Sequence, residues 1–391
     1  MSGGGGGFLD RVLGRVGPTG WLALAAPVLA ILFAGLVTSL VLVATGSPPV
    51  ETLVQMVEYG TTPRVIVLML NSATTYYLSA IAVAIGFRMN LFNIGVDGQY
   101  RLAALLAAAV GGAVVLPGPL HVLLIVAVAV LVGASWAAIA GVLKSARGVS
   151  EVISTIMLNA IATGIGAWLL HTDRLAVRRG TNDIGTPEIP PSGRVPGLEL
   201  IPGTPLRVYG FIIVAIAVGI GYHVLLTRTR FGFDLRATGR SEPAAIASGV
   251  NVKKMVIVAM ILSGAVAGLV GMPMLLGQSY TYSLDFPAGL GFTGIAIALL
   301  GRNHPIGIAF GALLWSFLDN SSQILQIREV PPEIVIIMQG TIVLSVIVAY
   351  ELVHRYSQVA LQRRVGRELG QTGDGAGAGS GDGPKAEEAR A

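Results

Sequence analysis

Four stretches of this 391-residue sequence place polar groups, glycines or prolines where the surrounding residues are apolar. The first, Phe87 to Arg101, reads FRMNLFNIGVDGQYR and sets Asn90, Asn93, Asp97 and Gln99 among two glycines. An ordinary tight connection between helices needs only about two to five residues. Polar groups of this kind persist at membrane depth only when buried in protein or lining a watery path. A Gly-interrupted helix carrying amides and a carboxylate suits a substrate path. The same residues also suit a loop that caps the next helix, with Asp97 paired to Arg101 at i,i+4. Both readings stand at this level.

The second stretch, Arg147 to Asn159, begins a helix: Ser150 suits the cap and Glu151 the first turn. Along it Glu151, Thr155 and Asn159 fall at i, i+4 and i+8, one polar stripe on an otherwise apolar span. Such a stripe faces the bundle interior, bonding either a neighbouring helix or a solute. The third, Thr227 to Lys254, is basic, and Ser241, Pro243 and Gly249 bound a short helix within it. A short amphipathic helix held between two spans can dock into a groove of a soluble partner; the plainer reading is a solvated basic loop. In the fourth, Asp285 to Pro305, Gly and Pro again interrupt an apolar run, about 195 residues after the first break.

The elements that must position these motifs follow from composition. The chain is 53% hydrophobic and only 12% charged, with a mean hydropathy of +0.73; soluble domains carry roughly 25% charge. Apolar runs of span length recur near 21–45, 64–87, 99–116, 120–143, 152–171, 207–226, 255–276, 288–301, 305–324 and 331–350. They are continuous rather than alternating, which selects helices over a barrel. The expectation is an all-α polytopic membrane protein of about ten transmembrane helices, with 288–301 short enough for a half-span. Lys and Arg divide about two to one in favour of one side if the N-terminus is inside, so both termini are expected in the cytoplasm. Segments two to five begin outside and seven to ten begin inside, the order of an inverted repeat.

Residues 1–20 read as a flexible lead, 21–355 as the membrane domain and 356–391 as a basic then disordered tail. A Pro- and Gly-rich loop at 172–206 is expected outside and the 227–254 loop inside. The formal charge of +5 belongs to the positive-inside bias rather than to nucleic acid. There is no cysteine, hence no disulfide or thiolate site. His121, His171, His223, His304 and His354 lack metal-ligand spacing. No GxxxxGK[ST], HExxH or GxSxG motif occurs, so any ATP hydrolysis belongs to another chain. No metal or cofactor is expected on this one.

Taken in order, FNIGVDGQ (92–99), GVSEVISTIMLN (148–159), FGFDLRATGRSEPAAIASGVNV (231–252) and GFTGIAIALLGRNHPIG (291–307) resemble a known group. They are similar to the permease subunits of bacterial ABC importers in the branched-chain amino acid and monosaccharide superfamily, nearest to nucleoside or simple-sugar uptake permeases. Asp97 stands where that group usually has Glu, and Ser150 where it usually has Asn. The resemblance implies a multi-pass protein of the inner (plasma) membrane working beside a second permease, homologous or identical. It also implies a pair of cytoplasmic ATPases that use ATP and Mg, and an extracellular substrate-binding lipoprotein. The coupling helix would include Arg236, Gly239, Glu242, Ala244, Ala245 and Gly249. For a nucleoside path the motifs nominate Phe92, Asn93, Asp97, Gln99, Glu151, Thr155, Asn159 and Phe292, supplying amides for base edges and rings for stacking. A pentose or hexose permease is the alternative. An ion-driven transporter would need a relay of charges deep in the spans, and an enzyme a nucleophile or paired carboxylates; neither pattern is evident.

Overall fold

The computed structural model describes residues 48–179, 184–327 and 333–349, with scattered positions over 33–46 and at 352 and 355. The lead over 1–20, most of the expected anchor at 21–45 and the tail at 356–391 lie outside the described residues. The elements below, up to the last helix, belong to one compact unit, Ser39–Gln339.

Proline opens many of the helices, where its missing N–H has no intrahelical partner to lose. Pro49 begins α1 (Pro49–Gly60) and Pro63 begins α2 (Pro63–Phe87). After a break at 88–95 come α3 (Val96–Ala113), α4 (Gly118–Arg147) and α5 (Glu151–Leu169). Gly148, at φ +67°, closes α4 in the left-handed conformation that glycine adopts without strain, and Lys144 and Arg147 sit at the negative end of its dipole. Beyond the long loop lie α6 (Ile212–Arg228), α7 (Arg230–Arg240), α8 (Glu242–Ala247) and α9 (Val252–Gly268). The run of α9 continues to Ser279 through a π-helical turn at Leu275–Ser279. A second break at 280–289 precedes α10 (Leu290–Leu300) and α11 (Pro305–Ser321). A further apolar helix covers Glu333–Ala349.

Among the described residues four helices are long and apolar enough to cross a membrane: α2, α4, α5 and the 28-residue run Val252–Ser279. The α10 helix has 11 residues, which at 1.5 Å per residue covers about half of a 30 Å hydrocarbon core. The expected short segment is therefore present as a short helix. The 227–254 region holds two helices, α7 as well as the expected short α8, and α6 meets α7 at 73°.

The α2 and Val252–Ser279 spans form the centre, 61% and 67% buried, whereas α4 and α5 are only 22% buried. The α4 and α9 helices touch through glycine: a Cβ on Gly133 would stand 2.2 Å from the Gly264 carbonyl, and one on Gly268 2.1 Å from that of Ala129. Small residues at such crossings let backbones meet and gain dispersion contact that lipid cannot replace. Directions follow from the ends. The start of α2 lies under the long loop, Pro63 being 3.6 Å from a Cβ on Gly203. Its other end meets the basic side, where Arg88 Nη2 donates to the Asn303 carbonyl at 2.6 Å. The α9 helix starts on that basic side, at Lys253 and Lys254, and runs back to the long loop, where Val195 N–H donates to the Leu276 carbonyl.

Candidate functional site

The two chain breaks meet inside the bundle. Asp97, in the first turn of α3, accepts on Oδ1 from the N–H of Gly289 at 2.8 Å and of Gly291 at 3.4 Å. These are donors at the start of α10, which have no partner within the helix, and a carboxylate there also opposes the helix dipole. Three residues on, the Tyr100 hydroxyl donates to the Pro287 carbonyl at 2.6 Å. Asp97 thus turns to the second break. Ser79 of α2 completes the attachment by donating to the Leu290 carbonyl at 2.7 Å.

The first break is held just as tightly. Asn93 Nδ2 donates to Gln99 Oε1 at 3.0 Å and to Ser263 Oγ at 2.8 Å, while Gln99 Nε2 returns a bond to Asn93 Oδ1 at 2.9 Å. Ser263 passes its own proton to the Ala82 carbonyl at 2.6 Å. Asn159 splints the loop to α5, accepting from Gly98 N–H and donating to the Ile94 carbonyl, both at 2.8 Å. Thr155 is fully buried and bonds the Glu151 carbonyl of its own helix; a Cβ on Gly95 would lie 3.1 Å from Thr155 Cβ. Glu151 pairs with Lys144 at 2.5 Å and accepts from Phe92 N–H at 3.4 Å. Ser150 is the N-cap of α5, but its side chain makes no cap bond; its carbonyl accepts from the Ser154 hydroxyl at 2.9 Å instead.

The structure therefore brings Asn93, Asp97, Gln99, Thr155 and Asn159 to the breaks, with their polar atoms bonded to protein. The rings behave differently. Phe92 is 48% exposed beside Phe87, and Phe292, next to the Gly291 held by Asp97, is 56% exposed.

On the basic side, α7 and α8 make a platform. Thr229 caps α7, its Oγ1 accepting from Gly232 N–H at 3.0 Å, and Ser241 caps α8 through Ala244 N–H. Gly249, at φ +85°, lies just beyond the end of α8. Asn90 Nδ2 donates to the Gly239 carbonyl at 2.7 Å, and a Cβ on Gly239 would stand 2.3 Å from the Arg88 carbonyl. The end of α7 is thus seated on the 88–91 turn that leads into the first break. Arg236 is half-buried. Ala245 is the buried anchor of α8, while Glu242, Ala244 and Ile246 are exposed.

A cavity of about 230 Å³ lies between α2, Val270–Gln278, Tyr209 and the loop Phe286–Leu290. Asn71 pins Tyr209 above it, accepting from Tyr209 N–H at 2.8 Å and donating to the Arg207 carbonyl at 3.1 Å. Burial, with Tyr280 nearby, pushes the Tyr209 phenol up to about 12, so at neutral pH it remains a donor, here to Gln278. The sequence reading did not single these residues out. Their signal is the run NSATTYY at 71–77, seven residues with six polar or amphipathic members inside an apolar span.

A bundle of apolar helices with two breaks joined in its interior, and a short exposed helix on its basic side, is the architecture of a polytopic membrane protein. The chain belongs to the family described as the branched-chain amino acid transport system permease component, whose model matches residues 65–347. It is similar to the glucose ABC transporter permease of Haloferax volcanii, 32% identical over 88% of this chain and 92% of that one. It is also similar to the guanosine ABC transporter permease of Bacillus subtilis, 36% identical over 71% and 80%. The nucleoside ABC transporter permease NupB of Lactococcus lactis is 30% identical over 83% and 90%. The protein is accordingly a multi-pass protein of the cell membrane.

Proposed function

We propose that this chain is the path-forming permease subunit of an ATP-driven importer of nucleosides. A cytoplasmic ATPase, a second permease subunit and an extracellular substrate-binding lipoprotein complete the transporter, and the solute crosses unchanged. The observation that carries this reading is the junction of the two breaks through Asp97, Gly289 and Gly291, with Phe92 and Phe292 left uncovered beside it. Irregular backbone at membrane depth tolerates protein or a watery path but not lipid, so a second permease facing these rings would enclose the path. The arrangement α2–break–α3 is mirrored by α9–break–α10, which runs the opposite way, in keeping with an inverted repeat.

The basic side is cytoplasmic in this reading, and the exposed face of α8 is where the ATPase docks. Closure of the ATPase dimer would shift α7, and the Gly239–Asn90 bond carries that shift into the 88–91 turn and the break beyond it. The guanosine and nucleoside permeases among the relatives support nucleosides. The glucose permease supports a pentose or hexose as the second reading. Uptake of labelled uridine, guanosine and ribose in cells carrying the whole transporter separates the two. Nucleoside uptake competed by nucleosides and not by ribose is expected; the reverse result overturns the nucleoside reading.

A further inference from the structure

The cavity beneath Tyr209 is separate from the uncovered rings, and its polar groups form a pattern. Asp319 of α11 accepts from the Tyr76 hydroxyl and from Gln339 Nε2, the latter at 2.7 Å. Among the described residues no cation pairs with it. Asp319 is half-buried near the end of α11, and an ionisable group held there by protein partners is a candidate functional group. Tyr76 lines the cavity, and because its only proton goes to the Asp319 carboxylate, its oxygen offers lone pairs alone. Bonding to a carboxylate also polarises the phenol, making that oxygen a stronger acceptor.

The other polar groups offer donors. Ser72 Oγ accepts from Asn320 Nδ2 at 3.3 Å and keeps its proton. Thr75 makes no side-chain hydrogen bond among the described residues, although it is buried. Gln278 Oε1 accepts from Tyr209, which leaves the amide N–H groups for another partner. Around these stand the Phe286 ring, Met274, Val270 and Leu290. The cavity is smaller than the roughly 300 Å³ at which pockets for drug-sized ligands begin, and so suits one planar ring system with any attached sugar at its mouth.

We propose that this cavity binds an uncharged heterocycle through a lactam edge, a ring N–H beside a carbonyl. The ring N–H donates to Tyr76, the carbonyl accepts from the Ser72, Thr75 or Gln278 donors, and the ring lies against Phe286. Uracil, hypoxanthine and guanine present that edge; adenine has no ring N–H there, and ribose has no planar face. A free anion is disfavoured by the neighbouring Asp319. That the heterocycle arrives as a nucleoside rests on the function proposed above, whereas the ligand class of the cavity does not.

The chain has no cysteine, so a thiol introduced into it is read on this chain once labelled membranes are resolved by electrophoresis, apart from the thiols of its partners. Gln278→Cys in the full transporter, in membranes, would be titrated with a thiol reagent in the presence of inosine, uridine, hypoxanthine, adenosine or ribose. Protection by inosine, uridine and hypoxanthine, with none by adenosine or ribose, is expected. Equal protection by adenosine, or protection by none, overturns the proposal. Equilibrium binding of labelled inosine then compares Tyr76→Phe and Thr75→Val with the parent at equal membrane abundance. Loss of a bond to a charge-linked acceptor predicts about ten- to a hundredfold weaker binding for Tyr76→Phe. Thr75→Val, which leaves Asp319 and its partners intact, should weaken binding by a smaller factor. Unchanged binding in both refutes the assignment. If the whole transporter takes up ribose and no nucleoside, the uptake reading fails, while protection by hypoxanthine still decides the cavity.

Discussion

Replacing Asp97 discriminates a carboxylate that holds the second break from one that touches solute. In the structure its Oδ1 accepts from two backbone donors, Gly289 N–H at 2.8 Å and Gly291 N–H at 3.4 Å. Asp97→Ala leaves both without that partner in a largely buried site. A buried donor left unsatisfied costs about 1–3 kcal/mol, and the longer of the two bonds belongs at the low end, so the loss is roughly 2–4 kcal/mol. Asp97→Asn keeps a carbonyl oxygen of nearly the same reach and loses only the charge. Its cost is the difference between charged and neutral bonds plus the dipole contribution at the start of α10, about 1–2 kcal/mol in all. Stability of the detergent-solubilised transporter and its uptake rate should therefore fall in the same order: parent, Asn, then Ala. Ala288→Cys, on an exposed residue of the same loop, gives a local readout, because a released loop reacts faster with thiol reagents. An Asp97→Ala protein with parental stability and parental loop reactivity but no uptake would refute this reasoning and put the carboxylate on the solute.

Substitutions on the platform should separate docking from transmission. Glu242→Arg, on the exposed face of α8, should abolish co-purification of the ATPase. Gly239→Ala, whose Cβ would stand 2.3 Å from the Arg88 carbonyl, should keep the ATPase bound while uptake falls, because it lifts α7 off the turn; parental uptake would disconnect the turn from transport. In the bundle, Gly264→Val places its side chain 2.3 Å from the Gly133 carbonyl. Overpacking of this kind costs about 1–3 kcal/mol or more, read as lower thermal stability in detergent, and an unchanged melting profile would contradict the α4–α9 crossing.

Much of the fold was legible because a membrane enforces simple rules. Helix ends at Pro63, Pro305 and Gly148 carry their own signals, and the apolar run between Gly291 and Arg302 is too short to cross. The bounds of α8 could likewise be read from Ser241, Pro243 and Gly249. The partners of polar side chains were not legible. Asn93 meets Ser263 across 170 positions and Asp97 meets Gly289 across 192, and no local pattern encodes such meetings. Thr74 shows why the cavity escaped notice. Its hydroxyl bonds the Leu70 carbonyl of its own helix at 2.7 Å; a hydroxyl satisfied in this way costs little in an apolar span, so from sequence the run at 71–77 looks like ordinary span residues. The second basic-side helix, α7, was missed because its Arg and Gly residues read as loop; its buried face is only Gly232, Leu235 and Thr238.

The bonding at the breaks also bears on how a solute would pass them. Asn93, Gln99 and Asn159 each use both ends of the amide on the protein, and Asp97 is committed to α10. A solute that took those bonds would undo the junction as it stands in this structure. Two rings at the breaks, Phe92 and Phe292, are left exposed, together with Leu284 and Ala288. Aromatic faces hold a planar or sugar ring by stacking and dispersion, without the fixed geometry that several directed hydrogen bonds impose. A path must bind well enough to admit its solute and weakly enough to release it. On the proposed function, ring surface would meet that condition at the breaks, while the donors and the charge-linked acceptor of the proposed cavity site stand under Tyr209. If both proposals hold, selection and passage fall to different residues: substitutions at Tyr76 should change which solute binds, whereas substitutions at Phe92 and Phe292 should change how fast it crosses.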